Sequence, residues 1–330
     1  MGGVESAGDV PGRGVTGTGA LLTERFEQDR VHLRAVAYRM LGSLAEADDA
    51  LQEAWLRAAG SGIEGVENLG GWLTTVVSRV CLNMLRSRDR RREDSLDDRL
   101  SEPDVDPSGH DPEEEALMAD SVGVALLVVL DTLAPAERLA FVLHDMFAVP
   151  FEDIAPMLER TPAAVRQLAS RARRRVKGGA AATVRPDASR QRQVVEAFLA
   201  ATRGGDFEAL LALLHPDVVL HADRMVVPTP EPILVSGGRA VAQGAMAAMG
   251  RARFTGLALV DGACALAMAP RGRLRLVLTF AVSDGLITGI EVVAEPARLA
   301  ALDIDVADPA VPEAGPVSGP VSGSGADVTE

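Results

Sequence analysis

Apolar residues recur at helical spacing through the first half of the chain and largely at strand-like spacing through the second. Leu33, Val36, Ala37, Met40 and Leu41 mark one buried stripe and predict a helix over 24–41, ended by Gly42. Ser43 with Glu46 gives a capping-box signature for a second helix over 43–58. There Ala47, Ala50, Leu51, Ala54 and Trp55 face inward, and Asp48, Asp49, Gln52 and Glu53 cover the outer face. A third helix over 70–92 buries Trp72, Leu73, Val76, Val77, Val80 and Leu85. Its residues Thr75, Arg79, Asn83 and Arg86 are spaced to present a polar strip.

The segment 94–112 is rich in Pro, Gly, Ser and Asp without periodicity, and reads as a flexible acidic linker. Pro135-Ala136-Glu137-Arg138 then opens an apolar helix through Phe147. Ile154, Ala155 and Leu158 make a short helix, which Pro156 should distort or keep short. Glu159-Arg160 is a turn, and Thr161 with Pro162 starts a basic amphipathic helix to Lys177. Val165, Leu168, Ala169, Ala172 and Val176 form its core side, and Ala163, Arg166, Gln167, Ser170 and Arg174 the opposite one. Short helix, tight turn and basic helix together make a helix-turn-helix. Guanidinium, amide and hydroxyl groups on the outer side are the types that read base edges in a major groove.

After a second linker, 179–188, two helices are expected at 191–202 and 207–214. His215-Pro216-Asp217 reads as the turn out of the second. Strand-like runs follow at 218–221, 254–260, 264–268, 274–282 and 286–293, interrupted by a helix over 238–249. Helices first and an antiparallel sheet later describe an α+β domain. Residues 1–20 are Gly-rich, and 303–330 are rich in Pro, Gly, Ser and Ala. Both read as disordered. The fold class is therefore multidomain: an all-α unit at 21–93, a second all-α unit at 113–178 carrying the helix-turn-helix, and an α+β domain at 189–302.

Composition refines this picture. At 47% hydrophobic but 3% aromatic residues, the cores must rest on Ala, Val and Leu. A net charge of −14 argues against coating DNA by bulk electrostatics. The arginines are instead gathered in two blocks: Arg79, Arg86, Arg88, Arg90, Arg91 and Arg92, and the helix at 160–177. Focused nucleic-acid contacts, with a second partner supplying the rest, fit that distribution. Cys81 and Cys264 stand far apart and show no metal-ligand spacing. No cofactor motif is present, and no apolar run reaches the ~18 residues of a membrane span. Met1 to Ala20 lacks the apolar core of a signal peptide, so a cytoplasmic protein is expected.

The run Ala47-Asp48-Asp49-Ala50-Leu51-Gln52-Glu53-Ala54-Trp55-Leu56-Arg57, then Gly71-Trp72-Leu73-Thr74-Thr75-Val76-Val77-Ser78-Arg79-Val80-Cys81-Leu82-Asn83, resembles region 2 of bacterial extracytoplasmic-function sigma factors. Pro135-Ala136-Glu137-Arg138 and the helix-turn-helix resemble region 4. Gly205-Asp206-Phe207-Glu208-Ala209-Leu210 through His215-Pro216-Asp217-Val218 is similar to SnoaL-like domains of the NTF2-like cone fold. Some sigma factors of this family carry such a domain. Their Trp-Leu-Pro-Glu-Pro linker stretch and Asp-Gly-Gly-Gly-Lys cone stretch are replaced here by Leu100-Ser101-Glu102-Pro103 and Asp223-Arg224-Met225-Val226.

The resemblance implies a non-enzymatic protein that gives core RNA polymerase its promoter specificity. Asp48, Asp49, Gln52 and Glu53 would dock on the polymerase. Arg79, Asn83, Arg86 and Arg88 would lie along the promoter −10 element, and Arg166, Gln167, Ser170, Arg171 and Arg174 along the −35 element. The cone domain would regulate in cis, and a separate anti-sigma protein remains compatible with that. Two other readings stay open. The cone could act on or sense a small molecule, with His215, Asp217, His221 and Asp223 as candidates. Or the whole chain could be a stand-alone helix-turn-helix regulator with a sensing cone.

Overall fold

The computed structural model describes residues 15–94, 112–176, 188–227 and 231–306. The remainder of the expected terminal segments and linkers lies outside the described residues. The first unit is α1 (Val15–Leu41), α2 (Leu44–Ser61) and α3 (Leu69–Asp94). Helix α1 starts earlier than the disordered segment 1–20 allowed. Leu22 and Phe26 carry its stripe about two to three turns further back, and the Phe26 ring meets Trp55 edge-on at 5.1 Å. The chain reverses at Gly42, whose φ of +81° suits a residue without Cβ. Ser43 takes the extended N-cap conformation, but its hydroxyl makes no capping bond. Glu46, the expected partner in a capping box, pairs with Arg88 instead.

The second unit runs α4 (Pro112–Val122), α5 (Val124–Thr132), α6 (Pro135–Phe141), a π-helical turn (Val142–Met146), α7 (Phe151–Leu158) and α8 (Pro162–Val176). Pro156 sits inside α7 on its exposed side, where its missing N–H costs one bond without breaking the eight-residue helix. Glu159 ends α7 in the left-handed conformation, φ 54°, and its N–H donates to Ala155 O. Two residues on, the Thr161 hydroxyl accepts from Ala164 N at 3.2 Å and caps α8. These local choices fix the turn between the two helices.

Helix α5 is different. All of Val124 to Leu130 is buried. A surface helix needs only one apolar stripe, so a helix apolar all round must be walled on every side. Helices of its own unit cover one side, and the third unit covers the other.

That third unit comprises α9 (Ala188–Gly204), α10 (Phe207–Leu213), β1 (Leu214–Ala222), β2 (Ile233–Ser236), α11 (Gly238–Ala247), α12 (Met249–Ala252), β3 (Thr255–Val260), β4 (Ala263–Met268), β5 (Leu276–Ser283), β6 (Leu286–Val293), α13 (Pro296–Leu299) and β7 (Ile304–Val306). It is an α+β domain with one sheet ordered β2-β1-β6-β5-β4-β3-β7. The sheet is mixed, not antiparallel throughout, because β1 runs parallel to β6. His215-Pro216-Asp217 is not the expected turn: it lies within β1, where the register against β6 shifts between Leu214 and Val219. Pro216 has no N–H to give a ladder, which suits an irregular stretch. Neither β2 nor β7 was expected, since four and three residues are too short to show a period. β7 pairs with β3 from Val260–Ile304 to Ala258–Val306, so the ordered chain continues past the expected boundary at residue 303.

One face of the sheet packs Leu266, Phe280 and Ile290 against Val195, Phe198 and Leu210 of the helices. The other face is lined by Ala258, Ala265, Ala267 and Val277, and Ala125 of α5 packs into that cluster. Small side chains let the α5 backbone come close. A Cβ added at Gly256 would stand 2.8 Å from Val124 Cβ. Gly256→Val is therefore expected to destabilise the chain by about 1–3 kcal/mol through overpacking. Val124→Ala in the same chain should recover part of that loss, read as the shift of the urea unfolding midpoint.

Candidate nucleic-acid interface

In α8, Val165, Leu168, Ala169, Ala172 and Val176 are buried, and Arg166, Gln167, Ser170, Arg171 and Arg174 are exposed. The exposed set is not uniform. Arg171 and Arg175 both bond to the Glu137 carboxylate, at 2.8 and 3.1 Å, and Arg173 pairs with Asp145. These pairs tie α8 to α6 and the π-helical turn. The Arg166 guanidinium lies 5.1 Å over the Phe151 ring, so α7 orients it. Gln167, Ser170 and Arg174 have no side-chain partner among the described residues. The open polar face is thus Arg166, Gln167, Ser170 and Arg174, with Arg171 at its edge already engaged. The Glu137 pairs were not visible in the sequence, although Glu137 sits in a stretch that stood out.

On α3, Arg79, Asn83 and Arg86 are exposed and share one side. Arg88 does not join them. At about 100° per residue, nine residues from Arg79 make half a turn beyond two full ones, which puts Arg88 on the opposite face. It is buried, pairs with Glu46, donates to Leu41 O at 3.5 Å and lies 3.9 Å from Asp131. Asp131 also bonds Arg138 at 3.5 Å, and Arg138 donates to Arg39 O at 3.4 Å. Arg138 is 2% exposed, and burial pushes its guanidinium down to about 10, against the pull of Asp131. Arg88, Glu46, Asp131 and Arg138 form a charge-balanced knot that joins the first helical unit to the second. Arg79 adds a further link, donating to Pro156 O of α7 at 3.3 Å.

The acidic face of α2 is likewise divided. Asp49, Gln52 and Glu53 are exposed, and Glu53 pairs with Arg57 one turn on. Asp48 is half-buried and turned to α1, where Arg34 grips it with two bonds at 2.7 and 2.9 Å. Arg34 also holds Glu114 of α4. Asp48 is therefore part of the frame, and Asp49, Gln52 and Glu53 make up the open face.

The cone candidates are not brought together. His215 and Asp217 sit at one end of β1, and His221 and Asp223 at the other, about 20 Å away at ~3.3 Å per residue. His215 Nδ1 accepts from Asp217 N at 3.1 Å. Asp223 accepts from Met225 N, Ala294 N and Glu295 N at 2.9, 2.6 and 2.8 Å. Burial opposes its charge, but the three N–H groups prevail and hold its carboxyl below the usual range. It clamps a loop to the end of β6. Among the described residues no cluster of His, Cys, Asp or Glu could hold a metal, and no helix is long and apolar enough to cross a membrane.

Residues 26–91 match the Sigma-70 region 2 family, and residues 123–176 match Sigma-70, region 4. The two helical units are those two sigma regions. The chain is 44% identical over 199 residues to "ECF RNA polymerase sigma factor SigJ" of Mycobacterium tuberculosis, covering 60% of this chain and 64% of that protein. To "Probable ECF RNA polymerase sigma factor SigI" of the same species it is 37% identical over 196 residues, covering 59% and 67%. A crystal structure of the M. tuberculosis SigJ protein aligns with 31% identity and a TM-score of 0.39, over 84% of this chain and 98% of that one. The chain belongs to the extracytoplasmic-function sigma-70 family.

The knot and the surface pairs should differ sharply in weight. Asp131→Ala leaves Arg138 without its carboxylate partner in a buried site, with Arg88 still held by Glu46, and should cost about 3 kcal/mol. Arg171→Ala removes an exposed guanidinium and leaves Glu137 paired with Arg175, so it should cost less than about 1 kcal/mol. Thermal and urea unfolding of the two variants separates these outcomes.

Proposed function

We propose that the protein binds core RNA polymerase and directs promoter-specific initiation, and that its α+β domain regulates this in cis. The observation that carries the reading is the pair of open polar faces on two separate helical units. Arg166, Gln167, Ser170 and Arg174 on α8 suit base edges of a duplex −35 element. Arg79, Asn83 and Arg86 on α3 suit the phosphates and extruded bases of a melted −10 element. Asp49, Gln52 and Glu53 on α2 suit a basic surface of the polymerase. Arg88 and Asp48 drop out of these sets, because both are held inside the frame.

Regulation in cis is supported by where the units touch. The −35 and −10 elements are, by name, some 25 base pairs apart, about 85 Å at ~3.4 Å per base pair. Here Arg79 of the first unit is bonded to the helix-turn-helix of the second. The two units must part before both can engage one promoter. The α+β domain touches each of them. It packs on α5, and its β4–β5 loop meets the α1–α2 turn, where a Cβ on Gly272 would stand 3.0 Å from Gly42 Cα. A domain that bridges both units stabilises the closed arrangement, so its effect on transcription is restraint.

Run-off transcription with bacterial core polymerase on promoters from the protein's own genome tests this. Transcripts should depend on the chain. Arg166→Ala with Gln167→Ala should lower them at least about tenfold, as loss of bidentate base contacts predicts. Gly272→Ala should raise them by loosening the bridge. A chain that neither binds core polymerase nor supports a transcript would overturn the reading, and unchanged activity of Gly272→Ala would remove the restraint.

A further inference from the structure

A cleft of about 1530 Å³ lies between the sigma regions and the α+β domain. Arg91 reaches its wall from α3, Arg174 from α8, Arg251 from α12 and Arg275 from the segment entering β5. None of the four is in an ion pair among the described residues. Of the carboxylates on the same wall, Glu46 and Asp131 belong to the knot around Arg88, and Asp303 and Asp305 stand on the β7 side. In a chain of net charge −14, guanidiniums from four elements are gathered into one recess where Asp303 and Asp305 offset them only on the β7 side, so the recess favours negative charge. An anion placed among the guanidiniums would relieve their mutual repulsion. Between the arginines the wall is apolar, with Val226, Met268 and Leu276 at the open end of the sheet.

We propose that this cleft binds a small phosphate-bearing molecule of the nucleoside polyphosphate class. Its phosphates lie between Arg91 and Arg174 on the sigma side and Arg251 and Arg275 on the other, and its ring rests on Met268 and Leu276. Guanidinium forks match phosphate oxygens, and four of them suit several negative charges better than one. Apolar side chains beside them favour a ligand with a flat organic part over a bare ion. Such a ligand touches both walls, so it binds the closed arrangement better than an open one and shifts the population towards it. It also takes Arg174 away from DNA. That last consequence rests on the proposed function, but the binding itself does not.

The test is isothermal titration of the full chain, without DNA or polymerase, with inorganic triphosphate, ATP and GTP at matched ionic strength. Binding of at least one nucleotide is expected, tighter than inorganic triphosphate. Arg251→Ala with Arg275→Ala should weaken it by about tenfold or more, as lost charged hydrogen bonds predict. Both residues are exposed and lie outside the faces assigned to DNA and polymerase, and an unchanged melting temperature without ligand would confirm that the variant folds. No binding, or binding that this double variant leaves intact, would overturn the inference. Equal affinity for triphosphate and nucleotides would overturn the assigned class. Nucleotide binding by a chain inactive in transcription would sink the proposed function and leave this inference standing.

Discussion

The structure depends on a helix that is buried on every side along most of its length. Seven successive residues of α5, Val124 to Leu130, are withdrawn from water, and each apolar side chain buried in this way contributes on the order of 1.5–3 kcal/mol. The other helices of its own small unit cannot supply walls all round such a rod. The sheet face made of Ala258, Ala265, Ala267 and Val277 completes the enclosure. The α+β domain is therefore part of the core of the helix-turn-helix unit as well as an appendage to it. Its position relative to α8 follows from that packing.

The joint to the first helical unit is of another kind. It combines the Arg88–Glu46–Asp131–Arg138 knot, Arg79 on Pro156 O and Arg34 reaching Glu114 with apolar packing, in which buried residues of both units share one cluster and the His32 ring meets Phe147 edge-on at 5.2 Å. Charged groups can exchange partners with water or with another macromolecule, whereas α5 would expose bare hydrocarbon.

Much of this was legible from residue order alone. Thr161, Pro162 and the stripe Val165–Val176 define α8, and the same spacing identifies its exposed polar face. The errors have definite causes. Arg88 was read with its basic neighbours, although helical period puts it on the far side of α3. Asp48 was read as outward because its partner Arg34 belongs to a different helix. Ser43 and Glu46 matched a capping box, but a buried arginine competes for Glu46 more strongly than a backbone N–H. The strands β2 and β7 are too short to carry a pattern and exist because neighbours offer them open edges. Long-range pairing of this sort has no local signature.

Glu137 holds two of the arginines that crowd the end of α8. DNA sheds condensed counterions only for charges that reach its phosphates, at about 0.9 ion for each one neutralised. Glu137 offsets one of the two charges of Arg171 and Arg175, and Asp145 offsets that of Arg173. Helix α8 is thus more basic in composition than in its effective charge, and the promoter contact proposed for it would be correspondingly less sensitive to the ionic strength of the cell.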